Sequence, residues 1–423
     1  MSYEKKKLKD CCVSISDGDH QPPPKAEAGI PFITISNINS NNQLDFSDVM
    51  YVPEDYYDSL PSNKKASVGD ILYSVVGSFG KPVYISNDDK FVFQRHIAIL
   101  KPTDEMDGKY LYYTMLNPMF YRMADKLAIG CAQRTITLDS LRNIIVDIPP
   151  IEKQKKISDV LNAIDGKIAV NNRINDNLQQ QLRLLYDYWF TQFDFPDENG
   201  KPYRSSGGAM AWNSALKAEI PLGWTVGVLS DCIEKVSTGL NPRDNFKLGN
   251  GSIRYITVKN LTTSGVLDFS GCDTIDETAR TLIHRRSDIS KGDILFASIA
   301  PLGRCYLIEQ NSTDWEINES VFSIRPNIEM TTAEFLYSYF TSPAFIKGAT
   351  SSSTGSVFKG IRINTLLNTK VLIPPYRIAS VFSSKVRGLF SMLDKNAAEI
   401  STLSGIRDWL LPMLMNGQAT ISD

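Results

Sequence analysis

Two tetrapeptides in this chain approach a catalytic motif, and both miss it at the first residue. Ile148-Pro149-Pro150-Ile151 and Ile373-Pro374-Pro375-Tyr376 resemble the Asp/Asn-Pro-Pro-Tyr/Phe sequence with which amino-methyltransferases hold a target amine. Isoleucine in the first place cannot accept a hydrogen bond, so both read as prolines at the start of a helix. Gly77-Ser78-Phe79-Gly80-Lys81-Pro82 is too short for a phosphate-binding loop, and proline follows its lysine. The run from Ser351 to Ser356 reads as a flexible loop rather than a phosphate cradle. His20, His96 and His284 have no nucleophile motif beside them, and the six cysteines form no Cys-x-x-Cys pair. The expectation is no catalytic residue, no metal site and buried, reduced thiols.

What remains is a set of hydrogen-bonding and basic side chains in loops between apolar runs, candidates for base contacts through the family resemblance that the longer segments carry. Arg and Lys pair with guanine, and Gln and Asn with adenine, in the major groove of DNA. The candidates in the first part of the chain are Lys81, Gln94, Arg95, His96, Gln133 and Arg134. In the later part they are Arg280, Arg285, Arg286, Arg304, Lys359 and Arg362. Each has the plainer reading of a solvated charge or an ion pair within its domain. Composition argues mildly against nucleic acid, because the formal net charge is −2. Residues 1–150 carry 16 Lys plus Arg against 19 Asp plus Glu, and residues 223–375 carry 15 of each. A DNA reader with this balance needs its cations gathered on one face, or a partner to supply phosphate contacts.

The elements that position these residues are written twice. Gly69-Asp70-Ile71-Leu72 returns 223 residues later as Gly292-Asp293-Ile294-Leu295. Ile33-Thr34-Ile35-Ser36-Asn37-Ile38 and Leu44-Asp45-Phe46 return at the same offset, as Ile256 to Leu261 and Leu267 to Phe269. The Ile-Pro-Pro tripeptide returns at an offset of 225. So long a period means duplicated domains rather than a solenoid. Within the repeat, residues 32–38, 70–76 and 92–100 read as strands, as do 255–261, 293–299 and 321–324. Residues 110–126 and 333–347 read as helices. Gly69-Asp70 and Gly292-Asp293 read as turns before a strand.

A long heptad follows each Ile-Pro-Pro. The first seam is Ile157, Leu161, Ile164, Ile168, Asn171, Asn175, Leu178, Leu182, Leu185 and Trp189. The second is Phe382, Val386, Leu389, Leu393, Asn396, Ile400, Leu403, Arg407, Leu410 and Leu414. Steps alternating four and three are those of a coiled-coil seam. Asn171 and Asn396 fall at matching places, and a buried Asn favours the register in which it meets a polar partner. Two stripes of equal length predict that the helices pack antiparallel on each other; the alternative is that each packs on its own domain. Pro412 predicts a kink or an early end in the second helix. Residues 194–222, dense in Pro, Gly, Asn and Ser, read as a linker.

The expected class is α+β, in six segments. Residues 1–149 and 223–374 are the similar globular domains, 150–193 and 375–416 the long helices, 194–222 the linker and 417–423 a tail. No run of about 18 apolar residues and no leader pattern occurs, which predicts a cytoplasmic chain without a membrane span.

Three longer segments carry a family resemblance. Leu184-Leu-Tyr-Asp-Tyr-Trp-Phe-Thr-Gln-Phe-Asp-Phe-Pro-Asp-Glu-Asn-Gly-Lys-Pro-Tyr-Arg-Ser-Ser-Gly-Gly208 looks like the central segment of the specificity subunits of type I restriction-modification enzymes. Glu219-Ile-Pro-Leu-Gly-Trp224 looks like their approach to a second recognition domain, and Ile406-Arg-Asp-Trp-Leu-Leu-Pro-Met-Leu-Met-Asn-Gly417 like their C-terminal helix ending. With the duplicated Gly-Asp-Ile-Leu and Ile-Pro-Pro, the resemblance spans essentially the whole chain. It implies a non-catalytic DNA reader whose two target recognition domains each read half of a split, asymmetric double-stranded site, with the helices setting the unread spacer. It implies two modification subunits and restriction/translocase subunits as partners, and these would bring S-adenosylmethionine, magnesium and ATP. A subunit of a methylation-only or other phage-defence system would look the same. A complete methyltransferase with fused recognition domains would need the motifs this chain lacks, and a duplicated adaptor would bind only proteins.

Overall fold

Ile71–Ser74 and Ile294–Ala297 are buried at every position. A strand of this kind needs cover on both faces, and the fold is built around supplying it. The computed structural model describes residues 3–18, 23–39, 41–77, 79–130, 134–310, 313–352 and 360–421. The chain forms two units, residues 1–167 with 403–423 and residues 168–402.

In the first unit the Ile71–Ser74 strand lies between Ile97–Pro102 and Pro82–Tyr84, with Cys12–Asp17 beyond Ile97–Pro102, all antiparallel. A second sheet has Met50–Val52, Ile30–Ile33 and Val92–Phe93 in order, the last pair parallel. Side chains alternate between faces along a strand, and here the two faces serve two cores. Ile71, Tyr73, Ala98 and Leu100 pack with the helices Gly108–Leu116 and Pro118–Leu127, whereas Leu72, Ile97 and Ile99 pack with Ile33, Phe91 and Phe93.

The second unit repeats this strand for strand. Ile233–Thr238, Val321–Pro326, Ile294–Ala297 and Cys305–Leu307 form the four-stranded sheet, and Asp273–Ile275, Ile253–Ile256 and Trp315–Ile317 the three-stranded one. A two-stranded ribbon before each long helix is also repeated: Glu4–Lys7 with Ile145–Ile148, and Thr225–Val228 with Lys370–Ile373.

The repeated tetrapeptide is structural. Gly69 and Gly292 adopt φ of +96° and +89°, a region open to glycine at little cost. The aspartate that follows accepts from a backbone N–H, Ser67 or Ser290, and pairs with a cation on the neighbouring strand. Asp70 meets Lys101 at 2.5 Å, and Asp293 meets Arg325 at 2.9 Å. Asn37 and Asn260, from the other repeated string, each close a turn onto Thr34 or Thr257 and donate to Asp45 or Asp268.

Several expected boundaries shift. The strands expected at 32–38 and 255–261 end at Ile33 and Ile256 and curl into the 3-10 turns Ile35–Asn37 and Val258–Asn260. The strand expected at 92–100 is two strands around a turn at 94–96. The helix expected at 110–126 is broken where Asn117 caps Pro118–Leu127, its Oδ1 accepting from Met119 N at 2.9 Å. Its repeat breaks similarly before Pro343, between Ala333–Phe340 and Pro343–Ser352.

The long helices are Ile151–Tyr186, closed by a π turn at Asp187–Thr191, and Tyr376–Met415. Every seam position of both is buried or half-buried, including Leu161, Ile168, Leu178, Leu393 and Leu403. Within the second unit Asn171 Nδ2 donates to Glu399 at 2.8 Å and Asn396 Nδ2 to Asn175 Oδ1 at 2.9 Å. Partner numbers fall as helix numbers rise, so the helices run antiparallel. Both seam asparagines find polar partners, though not each other. The second helix passes through Pro412 to Met415 instead of ending early. Leu411, Leu414 and Met415 are buried in the first unit's core with Ile157 and Leu161, which holds that last turn in place.

Residues 194–222, expected as a linker, are folded. Met210–Asn213 and Ala218–Pro221 form a hairpin, and Asp194 accepts from Ser205 N at 2.7 Å and Ser205 Oγ at 2.6 Å. Phe195 stacks between Tyr203 and Trp224, with ring centroids at 4.6 and 5.4 Å. Its polar composition hides an aromatic anchor.

Candidate nucleic-acid interface

In each unit the central strand runs out into a hairpin loop that two other loops join by backbone hydrogen bonds. In the first unit Val75 N donates to His96 O at 2.9 Å, Ile136 N to Val75 O at 2.9 Å and Gly77 N to Arg134 O at 2.8 Å. These bonds bring the hairpin carrying Lys81, the turn carrying Gln94, Arg95 and His96, and the loop carrying Arg134 to one edge. Lys81 N donates to Ser74 Oγ at 3.0 Å, and its ammonium reaches Ile38 O at 3.4 Å. Gln94 N donates to Ile33 O at 3.0 Å, which pins the turn to the second sheet. Arg95 is exposed, and its Nε donates to His96 Nε2 at 3.4 Å. Arg134 is already engaged, donating to Asp125 Oδ1 at 2.7 Å and to Asp125 O.

The second unit builds the same edge. Ser298 N donates to Ser320 O at 3.0 Å, Ile361 N to Ser298 O at 2.8 Å and Ala297 N to Arg304 O at 3.0 Å. Arg304 stands where Lys81 stands in the first unit: Ser74 N donates to Lys81 O just as Ala297 N does to Arg304 O. Its Nε is buried without a hydrogen-bond partner among the described residues. A buried, unsatisfied guanidinium N–H costs about 1–3 kcal/mol, so the side chain gains by meeting an acceptor. Arg362 is exposed at the N-cap of the short helix Ile363–Leu367.

Arg280, Arg285 and Arg286 are not on these loops. They belong to the helix Glu277–Ser287. Arg280 donates to Thr313 O at 2.8 Å and lies 3.6 Å from Glu277; Arg285 is exposed. Arg286 Nε donates to Thr238 Oγ1 at 3.3 Å, and the next residue, Gly239, donates to Asn318 O. Arg286 therefore flanks the loop edge, while Arg280 serves the fold. The counterpart helix in the first unit, Glu54–Ser59, carries Glu54, Asp55 and Asp58 instead. Below the basic helix the buried Glu316 accepts from Ser287 Oγ at 3.0 Å and lies 2.8 Å from His284 Nδ1. Burial pushes its carboxyl above the usual range, and His284 opposes that shift.

Gln133 and Lys359 lie outside the described residues, as do His20, Cys131 and the expected loop from residue 353 to 356. The residues sequence reading missed form the turn at 318–320, the counterpart of 94–96. Aligning the two repeats one residue further along would have found it. Among the described residues no His, Cys, Asp or Glu group could hold a metal ion. Cys11 and Cys232 have thiols pushed up to about 11 by burial, so neither is activated as a nucleophile. Among the described residues no helix is long and apolar enough to cross a membrane.

The comparisons agree with this duplicated design. The profile of the type I restriction modification DNA specificity domain matches residues 2–180 and again 221–387. The chain is 24% identical over 422 residues to the HindI specificity subunit of Haemophilus influenzae, covering 85% of this chain and 89% of that protein. It is 25% identical over 338 residues to the MjaIX specificity subunit of Methanocaldococcus jannaschii, covering 76% and 71%. The crystal structure of the S subunit of a type I restriction-modification system from M. genitalium shares the fold, with a TM-score of 0.54, 17% identity and coverage of 100% and 97%. With two domain matches that follow the two structural repeats, the chain belongs to the type I restriction-modification DNA specificity family, as a specificity subunit with two target recognition domains.

Proposed function

We propose that each unit reads one half of a divided, asymmetric double-stranded DNA site through its three-loop edge, and that the chain does no chemistry itself. The observation that carries this reading is the equivalence of Lys81 and Arg304. Two cations able to pair with guanine stand at the same point of a duplicated, hydrogen-bonded loop edge. Around them, Gln94, Arg95, His96 and Arg134 in the first unit, and Arg286 and Arg362 in the second, supply base or phosphate contacts, and Arg285, exposed on the helix Glu277–Ser287, a phosphate contact beyond the edge. Gln133 and Lys359 are proposed on the same footing from sequence.

The paired helices are proposed to set the unread spacer and to dock two modification subunits, with restriction/translocase subunits joining that core. S-adenosylmethionine, magnesium and ATP belong to those partners in this reading. The relatives' names as specificity subunits support the assignment. The test is selection from a randomised duplex pool by the full chain. Lys81→Ala should relax one half of the enriched motif and Arg304→Ala the other. Enrichment of no sequence, or methyl transfer by the rigorously purified chain alone, would overturn it.

A further inference from the structure

The turn leading into Val321–Pro326 carries an acid where its counterpart carries a base. Asn318 N donates to Ile256 O at 2.8 Å, as Gln94 N does to Ile33 O at 3.0 Å. Val321 N returns to Asn318 O at 3.3 Å, as Ile97 N does to Gln94 O at 3.0 Å. The position after Asn318 is Glu319, and the position after Gln94 is Arg95; both side chains are exposed. The next residue ties each turn to the central strand's hairpin, through Ser320 O to Ser298 and through His96 O to Val75. Glu319 is thus held on the same edge as Arg304 and Arg362, with Arg286 flanking through Thr238 and Gly239. It makes no ion pair or hydrogen bond among the described residues.

A carboxylate on a face that meets DNA weakens binding to every sequence through phosphate repulsion, unless a base edge rewards it. Ionised, it can only accept hydrogen bonds. In the major groove guanine and thymine present acceptors, and adenine sets the N7 acceptor beside its amino group. Cytosine presents the N4 amino donor without an acceptor beside it on the same base.

We propose that Glu319 is a specificity-determining residue of the second unit, accepting a hydrogen bond from the exocyclic amino group of a cytosine in the half-site this unit reads. The proposal rests on the DNA-reading assignment above and names one base within it. It also accounts for the opposite charges of Arg95 and Glu319 at one place in the repeat, since the two halves of an asymmetric site need different readers there.

The experiment is sequence selection from a randomised duplex pool by the full chain, alone and assembled with its modification subunits. Wild type, Glu319→Gln, Glu319→Ala and Arg304→Ala are compared, with thermal melting to check folding. Wild type should enrich cytosine at one position of the half that Arg304→Ala relaxes. Glu319→Ala should lose about 5- to 150-fold of that preference. Glu319→Gln should move the preference towards adenine, because Gln pairs with its N6 and N7. If both Glu319 variants keep the wild-type motif while Arg304→Ala relaxes it, the proposal falls and the DNA-reading assignment stands. The proposal alone also falls if Glu319→Ala tightens binding to all sequences equally, or if the affected half contains no cytosine. If wild type enriches no sequence, both fall together.

Discussion

Arg407, near the end of the second long helix, donates to Asp165 of the first at 3.0 Å, and the other oxygen of Asp165 accepts from Tyr113 of the first unit's core at 2.7 Å. One carboxylate thus ties both helices to the domain. Asparagine at 165 can still accept from Arg407 and donate to the Tyr113 hydroxyl, but the charge that strengthens both bonds is lost, so Asp165→Asn should destabilise the unit. The expected cost is about 1–3 kcal/mol in urea unfolding of the full chain. Arg407→Ala should cost no more than Asp165→Asn, because the Tyr113 bond survives it. An unchanged unfolding midpoint for both variants would show that the contact is not maintained in solution.

The first unit needs the chain's last turns. Ile157 and Leu161 share a core with Leu411, Leu414 and Met415. Leu414→Ala should destabilise by about 2–5 kcal/mol. Truncation after residue 402 should leave the first unit's central strands poorly protected in hydrogen exchange, while those of the second unit remain protected.

Stability should also depend on Glu316. Burial raises its folded-state pKa above the ordinary value of 4.5, with His284, Ser287 and Arg280 opposing the shift. A raised folded pKa means the native state holds the proton more tightly than the unfolded chain. That contribution is fully present below pH 4.5 and is lost as pH rises through the raised value. Glu316→Gln cannot titrate, so its stability relative to wild type should rise across that window. Parallel stability profiles for the two proteins would contradict this.

Arg304→Ala and Arg285→Ala should differ in kind. Loss of a base contact costs about 1–3 kcal/mol at one position of one half-site. Loss of a phosphate contact weakens all sequences alike and lowers the salt dependence of binding by roughly one counterion. Arg304 is expected to behave in the first way and Arg285 in the second, read from binding isotherms at several salt concentrations.

Much of this architecture is legible in the residues. Residues 70–76 and 293–299 read as strands, and the central strands Ile71–Ser74 and Ile294–Ala297 lie within them, while the seam spacing survives at every position of both helices. The register across the helices is less legible. Spacing places Asn171 and Asn396 at matching positions along their own helices, but antiparallel packing brings Glu399 and Asn175 opposite them. The fold of 194–222 is hidden by polar composition, since Phe193, Phe195 and Trp224 are too sparse to show a period. At the loop edge, sequence finds Lys81 and Arg304 by residue type. It passes over Glu319 because an acid is not sought on a DNA-facing surface and the repeat shifts by one residue there; the hydrogen bonds of the two turns place it at the position equivalent to Arg95.

The capping of the first core by Leu411, Leu414 and Met415 also sets an order of events during synthesis. Residue 167 is followed by the whole second unit before residue 403 is made. At about 5–20 residues per second that interval is roughly 12–50 s. Through it Ile157 and Leu161 lack the cover that Leu411, Leu414 and Met415 supply, so the first unit to be translated is the last to be finished. A chain released early would carry an open apolar surface at its beginning, which a chaperone or protease can read as the mark of an incomplete product.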